Sequence, residues 1–174
     1  MLSKTLLQLL PPEIYSSTTA IERSWEVPAV FIEDTPRFAY RGMHLDVSRH
    51  FLSSKLRQKN TIDFASKCRK MKLLFNWHLT DDQGWRIEIK RYPFLTEKGA
   101  WRDSTAINHP SSFSQPVFEK KRYGGYYTQE QIREVVAYAA EHHVTIVPEI
   151  DIPGHMLAAL TAYPSLGCIQ KAIK

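Results

Sequence analysis

Cysteine is scarce in this chain of 174 residues: only Cys68 and Cys168 occur, far apart and in no metal-ligand spacing. Cys68 falls on the apolar side of a predicted helix, so a buried free thiol is expected rather than a disulfide. Long apolar runs are missing too. No segment approaches the ~20 residues of a membrane span. Leu6–Leu10 is too short and interrupted for a signal peptide, and no small-residue cleavage site follows it. If the full protein is exported, its signal is expected outside this chain. Neither H-x-H nor H-E-x-x-H occurs, which weakens a metal-dependent reading and leaves no metal site or cofactor to expect. Nor does one sign of charge dominate: 23 Lys and Arg stand against 18 Asp and Glu, a formal net charge of +5. The basic residues between Lys55 and Lys72 and at Lys120–Arg122 accompany no nucleic-acid motif, so they read as solvated helix faces.

What is present is an ordinary globular composition, 43% hydrophobic and 24% charged. The length suits one sizeable core but falls short of the ~250 residues of a closed (β/α)8 barrel. Residues 1–40 read as a lead-in. Leu6, Leu7, Leu9 and Leu10 suggest a short helix ended by Pro11-Pro12, Ser16–Thr19 a polar linker, and Val27–Ile32 a short strand. From Arg41 a βα rhythm begins. Met43, Leu45 and Val47 alternate with His44 and Asp46 as in a strand. Ser53 or Ser54 can cap a helix whose stripe runs through Ile62, Phe64, Ala65, Cys68 and Met71. Leu73–Leu79 is apolar enough for a parallel strand buried on both faces. A long segment, Thr80–Tyr127, follows, and loops of that length are usually functional. Within it, Arg86, Glu88 and Lys90 alternate with Ile87 and Ile89, which suggests a hairpin strand with one solvated face. Thr128 with Gln131 forms a capping box. Ile132, Val135, Val136, Ala139 and Ala140 give a helical stripe, Val144–Val147 a third strand ending at Pro148-Glu149, and Met156–Ala162 a further helix. The order predicts right-handed crossovers and a parallel sheet.

Polar residues collect at the carboxyl ends of the three strands: Asp46, Arg49 and His50, then His78, Asp81 and Asp82, then Glu149, Asp151 and His155. Parallel strands bring such ends to one rim. Taken singly, each has an ordinary reading. Asp46 and Arg49 suit a structural ion pair as well as a ligand site, His78 a satisfied core histidine, Asp82 a cap on the turn before Gly84. Together they form an active-site pattern of a hydrolase. A metal-dependent hydrolase would use Asp46, His78, Asp81 and His155 as ligands. A glycosidase would use carboxylates with aromatic walls, and Trp85, Trp101, Tyr123, Tyr126 and Tyr127 supply flat rings that suit pyranose C–H faces.

Three strings then become specific: PRFAYRGMHLDVSRHF (Pro36–Phe51), WHLTDDQGWRIEIKRYPFLTEKGAWR (Trp77–Arg102) and GGYYTQEQIREVVAYAAEHHVTIVPEIDIPGH (Gly124–His155). In this order they resemble the β-N-acetylhexosaminidases of glycoside hydrolase family 20, over roughly Leu6 to Cys168. The resemblance implies about the first three β-α units of a (β/α)8 TIM barrel in residues 36–174. Residues 1–35 would be the tail of a preceding small α+β domain and a linker, as the TLLQLLPPEI opening suggests. It implies exo-acting release of terminal N-acetylglucosamine or N-acetylgalactosamine from β-linked glycans. Catalysis would be retaining but substrate-assisted, with the acetamido oxygen as nucleophile. Arg49 corresponds to the arginine that binds the terminal sugar, and Asp81 with His155 to the relay supporting the catalytic glutamate. Asp46, His78, Asp82, Glu149 and Asp151 would lie around them. The resemblance implies a carbohydrate partner, no nucleic acid, no membrane span, and a periplasmic, secreted or lysosomal setting.

Two departures follow. The family's catalytic Asp-Glu pair is missing, since adjacent acidic residues occur only as Glu33-Asp34 and Asp81-Asp82. The isolated chain is therefore expected to be inactive, a piece that needs the remainder of a barrel, with a vestigial or non-catalytic sugar-binding protein as the alternative. The stretch between Arg49 and His78 is also longer than usual, with Asn76 where a histidine is common and Lys72 or Leu73 where an asparagine is common. An insertion is implied, and the register of Leu73–Phe75 stays open. Ile169–Lys174 fits no family pattern.

Overall fold

Three parallel strands carry everything that follows. The computed structural model describes residues 26–33, 37–53, 73–107 and 117–168, with positions 9, 10, 59, 62 and 115. The strands β1 (Arg41–Asp46), β2 (Leu73–His78) and β9 (Val144–Glu149) form one sheet in the order β1-β2-β9. Both pairings are parallel, as the βα rhythm predicts, and the register is explicit: Arg41 faces Leu73 and Leu73 faces Val144. The same register sets Asp46, His78 and Glu149 side by side in one row.

Alternation along the strands separates two faces. Phe75, Trp77 and Leu79 turn to one side and pack with Val47, Tyr127, Val135, Ala139 and Val144. The helix α2 (Gln129–Glu141) covers this face. It begins at the expected capping box, in which the Gln131 amide donates to Thr128 Oγ1 while Gln131 Oε1 accepts from the Thr128 amide. Asn76 and His78 belong to the opposite face, so β2 is not the uniformly apolar strand its sequence suggests. One side of it is core, and the other is polar and in hydrogen-bond contact with β9. An apolar groove of about 520 Å³ runs beside β9 and α2, lined by Ile132, Val136, Val144, Ile146 and Pro148 among others.

The long segment after β2 is, in its described residues, built rather than loose. It contains the hairpin β3 (Thr80–Asp81) and β4 (Gly84–Trp85), the single turn α1 (Phe94–Glu97), and the pairs β5 (Trp101–Arg102) with β8 (Tyr123–Gly124) and β6 (Thr105–Ala106) with β7 (Phe118–Glu119). A second apolar cluster joins Trp85 and Leu95 to Ala158, Ala159 and Ala162 of α3 (Leu157–Ala162). Trp85 and Tyr127 are thus core residues rather than a sugar-facing wall, because each ring is claimed by an apolar cluster.

Two further expectations are corrected. Residues 26–33 are exposed and form no strand, having no neighbouring strand to pair with among the described residues. Arg86, Glu88 and Lys90 do not share a solvated face. Arg86 is fully buried against backbone carbonyls, the Glu88 carboxylate accepts the Gln129 amide at the start of α2, and only Lys90 is exposed, paired with Glu130. The alternation is real in the sequence, but tertiary partners draw alternate residues inward. Of the helix predicted after β1, only Lys59 and Ile62 are described; both are helical, and Ile62 joins the main core. Its remaining stripe, Cys68 and the Leu6–Leu10 helix lie outside the described residues. Cys168 is a free, exposed thiol.

Gly124 and Gly125 have φ of 159° and 148°, a region L side chains rarely enter. A Cβ on Gly124 would also overlap the Ala100 carbonyl oxygen across the β5–β8 pairing. Gly124→Ala should therefore cost about 2–3 kcal/mol of stability, read as a lowered midpoint in urea unfolding followed by circular dichroism.

Candidate functional site

Each strand of the sheet ends in the loop that carries its polar residues, and these loops meet around one carboxylate. Asp81 is only 1% exposed. Its Oδ2 lies 2.5 Å from Arg49 Nη2 and 3.1 Å from His78 Nε2, while its Oδ1 accepts the Asp82 amide at 2.6 Å and lies 3.4 Å from His155 Nδ1. A buried carboxylate is tolerated only when paired and hydrogen-bonded. Here β1, β2 and β9 each contribute to that pairing, so the sheet register assembles the cluster.

Arg49 is held from two sides. Its Nη1 donates to Asp46 Oδ2 at 2.6 Å, and Asp46 Oδ1 in turn accepts from the amides of Ser48 and Arg49 and from Ser48 Oγ. The structural ion pair is therefore real, and it presents Arg49 to Asp81 rather than competing with it. The pair raises the Arg49 pKa, chiefly through the hydrogen bond to Asp46. Burial works to raise the Asp46 pKa, but the hydrogen bonds from Arg49 and Ser48 outweigh it and hold the carboxyl below its ordinary value. Arg49 keeps an exposed side, with half of its side-chain surface open. Two of its five N–H groups face the carboxylates, which leaves three for a ligand.

His78 is a buried histidine with function-like partners rather than a merely satisfied one. Nε2 faces Asp81, and Nδ1 lies 2.9 Å from Glu149 Oε1, at ion-pair distance but off the hydrogen-bonding direction. Burial pulls its pKa down, yet Asp81, Asp46 and Glu149 overcome that and raise it. Glu149 is further engaged by Asn76 Nδ2 and lies 3.6 Å from His44 Nδ1.

His155 differs in being open: its side chain is 55% exposed, with Nδ1 aimed between Asp81 and Asp82 Oδ2 at 3.5 Å. Nε2 lies on the far side of the ring. The backbone holds φ of 55° at this non-glycine residue, a costly conformation that surrounding structure must impose. Asp82 does not cap the turn before Gly84. Its Oδ1 accepts the Leu157 amide at the start of α3, because the hairpin carries it to that helix end. The Asp151 amide donates to Thr80 Oγ1 and ties the loop after β9 to β3. His50 stacks on Tyr123 with centroids 4.7 Å apart, away from the cluster's centre.

Among the described residues, two groups have donor atoms close enough to hold a metal ion: His78, Glu149 and Asp151, and Asp81, Asp82 and His155. The first has Glu149 already committed to His78 and Asn76; the second has the Arg49 guanidinium against Asp81, which opposes a cation. The combination Asp46, His78, Asp81 and His155 does not form a ligand set, since Asp46 is occupied by Arg49 and Ser48. The residues that sequence reading missed are Arg86 and Arg102, which line the back of the site. The signal was the repeated Trp-Arg dipeptide in the long segment (Trp85-Arg86, Trp101-Arg102).

The raised His78 pKa predicts a pH-dependent stability. A group whose pKa is higher in the folded state stabilises fully below its unfolded value and loses that effect as pH rises through the folded value. Denaturant midpoints of the chain, relative to His78→Gln, should thus be highest below about pH 6 and converge on the variant as pH rises above the folded value. A gap independent of pH would contradict the charged His78–Asp81 pairing.

Comparison with known proteins places this geometry. The chain is 46% identical over 171 residues to a beta-hexosaminidase of Porphyromonas gingivalis and 48% over 162 residues to one of Vibrio furnissii, covering 98% and 93% of this chain. It spans only 20% and 24% of those relatives' lengths. Among solved structures, the Streptomyces plicatus N-acetyl-beta-hexosaminidase matches with a TM-score of 0.78 and 41% identity, over 98% of this chain and 30% of that one. An exo beta-N-acetylglucosaminidase of Vibrio harveyi, solved with N-acetylglucosamine, matches with a TM-score of 0.70 and 46% identity, over 94% of this chain and 24% of that one. The glycosyl hydrolase family 20 catalytic domain matches residues 38–174, which include the Ile169–Lys174 stretch expected to fit no family pattern. With the strand-end motifs, the buried aspartate cluster and these matches in agreement, the chain belongs to glycosyl hydrolase family 20.

Proposed function

We propose that this chain supplies the arginine, aspartate and histidine side of an exo-acting β-N-acetylhexosaminidase site. The observation that carries the reading is Asp81, buried between Arg49, His78 and His155 at the strand ends of a family 20 chain. The parallel sheet and the apolar groove beside β9 and α2 support residues 36–174 as the first β-α units of a barrel that continues past β9. Residues 1–35 are proposed as linker and end of a small preceding domain.

In this reading the three N–H groups of Arg49 not facing Asp46 or Asp81 donate to hydroxyls of a terminal β-linked N-acetylglucosamine or N-acetylgalactosamine. The substrate's acetamido oxygen attacks the anomeric carbon, the bond to the leaving oxygen breaks, and that oxygen takes a proton from a glutamic acid. Water then opens the oxazolinium ring with retention. Asp81 holds a proton on His155 Nδ1, which leaves Nε2 to accept a hydrogen bond from the glutamic acid and tune its proton affinity. The family's adjacent catalytic Asp-Glu pair does not occur in these 174 residues, so the chain by itself does not catalyse.

The 174-residue chain should therefore release no nitrophenol from a p-nitrophenyl β-N-acetylglucosaminide. Activity should appear when these residues replace the matching segment of a full-length relative such as the Vibrio furnissii enzyme. In that hybrid, Arg49→Ala should weaken kcat/KM roughly 10- to 150-fold, since a charged hydrogen bond is worth about 1.5–3 kcal/mol. Asp81→Ala and His155→Ala should instead lower kcat with smaller changes in KM and move the pH limb of the general acid. A hybrid that binds N-acetylglucosamine but never turns over would identify a vestigial sugar-binding protein instead, and loss of activity on chelation would restore the metal reading.

A further inference from the structure

We propose that Arg86 is a positioning residue that sets the Arg49–Asp81 contact, with Arg102 as its outer partner. This rests on the reading of Arg49 and Asp81 as site residues. Arg86 is fully buried, yet every hydrogen bond the structure gives it ends on a backbone carbonyl. Nε and Nη2 donate to Ser48 O at 3.1 and 2.8 Å, Nη1 to Ala100 O and Gly125 O at 2.5 and 3.1 Å, and Nη2 to Gln83 O at 3.3 Å. All five guanidinium N–H groups are thereby used. Ser48 immediately precedes Arg49, and Gln83 lies in the turn that begins with Asp81-Asp82. The guanidinium thus bridges the two segments whose side chains meet at the 2.5 Å ion pair.

Arg102 repeats the bridge from outside. Its Nη1 donates to Arg49 O at 2.8 Å and Gln83 O at 3.4 Å, and its Nε to Thr105 Oγ1 at 2.9 Å. Two like charges are held side by side for this purpose. Burial, with Arg102 adding repulsion, lowers the Arg86 pKa to about 10, so it stays charged at neutral pH. The sequence also makes room for it: a Cβ on Gly84 would overlap the Arg86 guanidinium. A neutral packing residue would fill this space without the charge cost, but it could not hold Ser48 and Gln83 at once.

The proposal is tested on the chain itself by following the His78 imidazole through a pH titration in NMR. Arg49 Nη2 and His78 Nε2 share Asp81 Oδ2, so withdrawing Arg49 should raise the His78 midpoint, by about half a pH unit or more in Arg49→Ala. Arg86→Met should reproduce this upward shift, whereas Arg86→Lys, able to reach one carbonyl but not both, should restore part of it. Arg49→Ala combined with Arg86→Met should shift no further than either alone, because both remove one contact. Arg102→Gln, half-buried at the rim, carries the same test if Arg86→Met does not fold. A folded Arg86 or Arg102 variant with the wild-type His78 midpoint, or shifts that add, would overturn the proposal. None of these readouts involves sugar, so failure of the wild-type hybrid to hydrolyse substrate would count against the function alone.

Discussion

The buried carboxylate of Asp81 is the constraint on which the rest of the site depends. An ionised aspartate removed from water must be met by charges and donors in good geometry, or it destabilises the fold by several kcal/mol. Arg49, His78, His155 and the Asp82 amide meet it here, and they come from the loops after β1 and β9, the last residue of β2 and the hairpin itself. The carboxylate therefore couples strand register to site geometry. Sliding β1 by one residue against β2 would move Arg49 off the carboxylate and turn Asp46 from the row it shares with His78 and Glu149.

The second layer of the site is made by backbone rather than side chains. The carbonyls of Ser48, Arg49, Gln83, Ala100 and Gly125 lie in the loop after β1 and in the segment after β2, and buried carbonyls need hydrogen-bond donors. Arg86 and Arg102 supply donors for them, so one pair of arginines both satisfies the loop backbone and ties it to β1. These donors support the short paired strands found among the described residues of the segment from Thr80 to Tyr127. They also show why a rigid back wall can coexist with an open front, where His155 and the free edge of Arg49 face outward.

Much of this was legible in the residues themselves. The alternation at Met43–Val47, the capping box at Thr128 and Gln131, and the stripe through Ile132, Val135 and Ala139 are local patterns, and local patterns survive folding when their apolar face finds a core. The strand-end words DVSRH, HLTDD and PEIDIPGH likewise announced their convergence, since a parallel sheet leaves them no other rim. Less legible were residues whose environment comes from distant chain. Arg86 looks solvated, and Trp85 looks like a ligand wall, until long-range partners bury both. Asp82 looks like a turn cap until the hairpin carries it to α3.

The sequence by itself determined the three main strands and their parallel order, the capped helix α2, the family, and the charged residues at each strand end, because periodicity, capping and motif order are properties of neighbouring residues. Only the tertiary structure decided which of those charges touch. That Asp81 is buried between the arginine and both histidines while Asp82, also near His155, turns its other oxygen to the start of α3, and that Arg86 spends its charge on carbonyls, follow from register and burial. Those contacts reach 38 positions, from Arg86 to Ser48, and 75, from Asp82 to Leu157, which no local pattern contains.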